Sequence, residues 1–194
     1  NNAGANTQGQ NSISMGANAG QTKQSSGAIA IGFNAGSNTQ GINAIAIGVQ
    51  AAQGTQQSGA IAIGFQAGAN TQGTNAISIG VTAGRTNQGN SAIAIGASAG
   101  QSTQGLNSIA IGLQSGQNNQ KSSAIAIGFL AGSTNQGASS IAIGESAGFY
   151  SQGNNGVAVG HFAGRTSQGS SATAIGNGAG QIFQSTNAVA IGTT

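Results

Sequence analysis

Along this chain isoleucine alternates with alanine in short bursts, Ala-Ile-Ala-Ile, each closed by a glycine and followed by about eleven mostly small or polar residues. Alternation with a period of two is a strand signal. The closing glycines fall at Gly16, Gly32, Gly48 and so on to Gly192, twelve of them at a spacing of 16. Eight residues after each interval begins stands a glutamine, from Gln8 to Gln184, invariant in all twelve copies. A second glycine column runs from Gly4 to Gly180, interrupted by Ala52, and an alanine column from Ala3 to Ala179, interrupted by Ser115. The unit is x-Ala-Ile-Ala-Ile-Gly-x-x-Ala-Gly-x-x-x-Gln-Gly-x. A register held this strictly sets the chain apart from Asn/Gln-rich disorder.

A period of 16 matches no heptad, and Gly, Asn and Ser are poor helix formers. Each unit therefore predicts a short strand, a glycine turn, a second extended stretch and a polar turn near Gln-Gly. Coils stacked about 4.8 Å apart would form an all-β solenoid, a parallel β-roll of twelve coils and roughly 55 Å in length. Residues 1–194 read as one uncapped solenoid segment. The absence of a visible cap predicts a piece of a longer fibre, or copies stacked end to end.

The two isoleucine columns, such as Ile45 and Ile47, share one face. Their apolar, β-branched character places them in the coil interior. Met15, Val157, Val159 and Val189 preserve that character, and Thr173 intrudes. The opposite face carries Ala or Ser, as at Ala44, Ala46, Ser108 and Ala110, and a small apolar outer face predicts cover by another chain. The glutamines are expected to form an amide ladder, and the glycines to supply positive φ at turns.

Composition narrows the chemistry. The chain has 36 Gly, no Pro, Cys or Trp, and five charged residues: Lys23, Arg85, Lys121, Arg165 and Glu145. Lack of Cys excludes disulfides and zinc–thiolate sites, and the missing Gly-x-y repeat excludes collagen. One carboxylate and one histidine, His161, leave no standard catalytic pair, so no enzyme, cofactor, metal or catalytic residue is expected. Four scattered cations make no nucleic-acid surface, and no apolar run would span a membrane.

One column changes character along the chain. The residue after the strand glycine is Ala17, Phe33, Val49, Phe65, Val81, Ala97, Leu113 and Phe129, then Glu145, His161, Asn177 and Thr193. Glu145 and His161 are expected to be vertical neighbours. They would be either two solvated residues or, in a trimer, stacked rings able to hold an ion. Leu130, Phe149, Tyr150, Phe162, Ile182 and Phe183 bring apolar side chains into otherwise polar columns. They mark either a contact patch or local core adjustments.

On stretches such as Asn43-Ala44-Ile45-Ala46-Ile47-Gly48 and Asn187-Ala188-Val189-Ala190-Ile191-Gly192, the whole chain resembles the head repeats of trimeric autotransporter adhesins. Similar repeats occur in fibre proteins of phages and large viruses. The resemblance implies a left-handed parallel β-roll, three chains about an axis and a role in surface attachment. The sequence departs from that family in its longer, uniform period and its Gln-Gly turn. The expected function is a structural shaft or head segment of an extracellular, cell-surface or virion-surface fibre, adhesive in role. Its partners would be two more copies, joined through the Ala face, and a host-surface glycan or protein receptor. A self-assembling filament and an ice-binding solenoid are the alternatives.

Overall fold

A computed structural model describes residues 2–193. The backbone forms two parallel twelve-stranded sheets and no helix among the described residues. Each turn of the coil contributes one strand to each sheet. The first turn gives Thr7–Gln8 and Ile13–Met15, and the last gives Ile182–Gln184 and Val189–Ile191. Every strand but the last of each sheet pairs with the strand 16 residues on, as in Ile45↔Ile61 and Gln40↔Gln56. The predicted β-solenoid of twelve coils is the observed fold.

Its inside and outside are exchanged relative to expectation. Ala28, Ala30, Ala44 and Ala46, from the alanine face of the strand, are 0% exposed, as are Ala35 and Ala51 from the next column. The isoleucines point outward and are only partly buried, with Ile63 and Ile79 each 36% exposed. A turn of 16 residues with strands of two or three residues encloses a narrow cross-section. Methyl groups fill it and a pair of isoleucines per turn cannot. Hydrophobicity ranks Ile above Ala for burial, but volume decides here. The Ala face is the lining of the coil, so no second chain can cover it.

The glutamines occupy the remaining interior space. Gln40, Gln72 and Gln136 are 0% exposed. Each sits at the end of its short strand and aims across the coil. Gln56 Nε2 donates to the carbonyls of Ile45 (2.8 Å) and Ala60 (3.0 Å), tying one sheet to the other, and reaches Gln72 Oε1 at 3.1 Å. Three acceptors face two N–H groups, so one proton is shared. The expected amide ladder exists, but as a buried core and not a surface turn.

Glycine is demanded at the strand end. Gly64 has φ +128°, and a Cβ there would lie 2.6 Å from the Gly80 carbonyl oxygen of the next turn. Both the conformation and the close approach exclude a side chain.

Candidate functional site

Three surfaces follow from this arrangement. The first is the outer face of the isoleucine sheet. In-register ladders such as Ile61–Ile77–Ile93 and Ile63–Ile79–Ile95 run along it. Next to them in the chain, the residues after the strand glycine are exposed apolar groups: Phe33 49%, Phe65 47% and Leu113 50%. Nothing charged interrupts the isoleucine ladders. Large exposed apolar patches are unusual on a soluble monomer and mark interaction surfaces.

The second surface is the outer side of the glutamine sheet, which changes structure partway along. Through Thr103–Gln104 its strands have two residues; from Asn118–Gln120 onward they have three. At the change, the residue before Gln adopts positive φ: Asn119, Asn135, Ser151, Ser167 and Phe183. The earlier turns mostly carry Thr in that column, as at Thr39, Thr55, Thr71 and Thr103. β-Branching disfavours the left-handed conformation, whereas Asn tolerates it. A groove of about 520 Å³ opens at the junction, with Thr103, Lys121 and Asn135 on its rim. The threonines form a single column, Thr39–Thr55–Thr71, continued by Asn87. One short column is not the two-dimensional array an ice-binding plane would need.

The third surface gathers most of the chain's chemically distinctive side chains. Glu145 and His161 are vertical neighbours as expected, Oε1 to Nε2 3.9 Å, both largely exposed. An exposed pair at that distance contributes at most about 1 kcal/mol. His161 Nδ1 lies 3.2 Å from Asn177 Oδ1, extending the column. The His161 ring meets Phe162 at 3.8 Å between centroids. The Arg165 guanidinium carbon stands 5.1 Å from the Phe162 ring and 5.8 Å from that of Phe149, which packs edge-on against Tyr150 at 4.2 Å.

Of the apolar residues singled out from the sequence, Phe149, Tyr150 and Phe162 come together here. Leu130 lies outside this set of contacts, and Ile182 and Phe183 are highly exposed in the final turn. Sequence reading missed Arg165. Its signal was available, because Arg165 follows Phe149 by 16 residues and so stacks on it.

Among the described residues no group of three or more His, Cys, Asp or Glu could hold a metal ion. No helix there is long and apolar enough to cross a membrane. No protein-family model, curated protein or solved structure matches the chain.

Proposed function

We propose that this chain is a structural rod, a shaft or head segment of an extracellular or virion-surface fibre, adhesive in role and self-associating through its outward isoleucine face. The observation that carries the reading is that face: two apolar ladders, interrupted only at Thr173, on a parallel, in-register sheet. Twelve coils about 4.8 Å apart and a strip roughly 10 Å wide give an area on the order of 500 Å². A strip of about that size matches the largest apolar patch of an ordinary soluble protein, and such patches are often interaction surfaces. Three copies meeting about an axis would cover it, in keeping with the resemblance to trimeric adhesin heads, but through Ile and not through Ala. The chain's polar remainder, rich in Asn, Gln, Ser and Thr, then forms the outer surface.

Sedimentation equilibrium of the whole chain tests this. A trimer is expected, and replacing Ile63 and Ile143, five turns apart on the exposed face, together by Lys should yield a monomer with unchanged β circular dichroism. Their side chains point away from the core, so folding is spared while association is lost. A wild-type chain that stays a stable monomer at micromolar concentrations would end the proposal.

A further inference from the structure

We propose that Phe149, Tyr150, Phe162 and Arg165, with His161 and Asn177 beside them, form a binding site for a carboxylate-bearing saccharide. This deepens the adhesive part of the fibre reading and does not depend on how the rods associate.

The chain holds one carboxylate, Glu145, and that group faces His161. Among the described residues no carboxylate lies within ion-pair distance of Arg165, which stands over two aromatic rings. Its Nε is shut off from solvent and unpartnered. The ring contacts fix the guanidinium plane, and a fixed guanidinium presents its remaining N–H groups as a fork that matches a carboxylate in bidentate fashion.

Phe162 carries one of the two rings under Arg165. Its φ is +58°, a left-handed conformation that is an outlier for a bulky side chain. The conformation belongs to the column as a whole, which holds it at Asn18, Asn34, Thr82, Ser98 and Leu130 as well, so the repeat itself sets the backbone on which the Phe162 ring is presented. The turn it makes also brings His161 and Phe162, sequence neighbours, onto one side.

A saccharide suits the rest of the surface. Tyr150 is 47% exposed and brings to the surface an aromatic ring, the kind of group that packs on the C–H side of a pyranose, together with a hydroxyl. His161 and Asn177 add polar atoms for hydroxyl groups. The site is open on the side of the rod, where a polymer or a cell-surface glycan could reach it.

Calorimetric titration of the full chain with sialyllactose and with trigalacturonate tests the assignment, with lactose and a triglutamate peptide as controls. At least one acidic saccharide is expected to bind, more tightly than lactose or triglutamate. Arg165→Gln should weaken it tenfold or more. Arg165→Lys, which keeps the charge but not the fork, should also weaken it severalfold, as should Tyr150→Ala. Arg85→Gln, in the same column but four turns from Phe149, should leave binding unchanged. Sedimentation of each variant keeps the association reading separate: loss of binding with an unaltered oligomeric state supports the site. No binding of either acidic saccharide, equal binding of lactose, or equal binding of triglutamate would each overturn it.

Discussion

At the scale of single residues, the coil interior is governed by size and hydrogen bonding and not by hydrophobicity rank. The alanine columns accept only Ser or Gly, and the inward serines find carbonyl partners: Ser108 Oγ donates to Gly105 at 2.7 Å and Ser140 Oγ to Gly137 at 2.7 Å. Ser78 instead donates to Gln88 Oε1 at 2.7 Å, and Gln88 is not joined to Gln72. The ladder thus runs in short segments, Gln40–Gln56–Gln72 and Gln120–Gln136–Gln152 among them. Gln56→Glu would replace two donors by an acidic group facing the Ile45 and Ala60 carbonyls. It should cost at least about 3 kcal/mol, read as a lower urea midpoint, because a buried charge without a partner is heavily penalised. Gly64→Ala meets both a positive φ and the Gly80 carbonyl. A loss of about 2 kcal/mol or more is expected in the same assay.

At the scale of the element, the two sheets were legible to different degrees. The isoleucine strand was visible in the sequence as a period of two, and its 16-residue pairing follows from the phase of Gly and Gln. Which of its faces looks inward was not visible from hydrophobicity. The guide lay in tolerance: Met15, Val157, Val159 and Thr173 vary the isoleucine columns in bulk and polarity, while the alanine columns never admit anything larger than Ser. A site that varies in volume has room, and a site that does not is enclosed. The change in the glutamine sheet at Asn119 was hidden because it depends on backbone conformation, although loss of Thr from that column accompanies it. The candidate binding surface was half legible, since its aromatic residues stood out while their partner Arg165 did not. The junction gives an asymmetric prediction. Asn135→Thr places a β-branched residue at φ +55° and should destabilise by about 1–2 kcal/mol. Thr55→Asn, where φ is not positive, should change stability by less than about 0.5 kcal/mol. Matched chemical denaturation curves would compare the two.

At the scale of the whole molecule, repetition leaves the isoleucine face with little to distinguish one level from the next. An isoleucine ladder repeated at every turn would let two rods slide past each other by one coil at small cost. The column that passes from Phe129 to Glu145 breaks that equivalence. Rods aligned in parallel and in register keep their polar ends together, whereas other alignments set Glu145 near apolar groups. Replacing Glu145, His161 and Asn177 together by Val, Phe and Val should leave the fold intact but broaden the distribution of assemblies seen by sedimentation velocity. An unchanged single species would show that this column does not set the alignment.

The interior of alanine methyls, amides and backbone also fixes how the chain responds to temperature. Exposure of apolar surface raises the heat capacity on unfolding, and exposure of polar surface lowers it. This core uncovers much amide and few large apolar groups, so its increment per residue should fall below the usual ~12–15 cal/mol/K. Its stability curve would then be broad and flat, with cold denaturation displaced to lower temperature. Scanning calorimetry would register this as an unfolding enthalpy that changes little as the midpoint is moved by pH or denaturant.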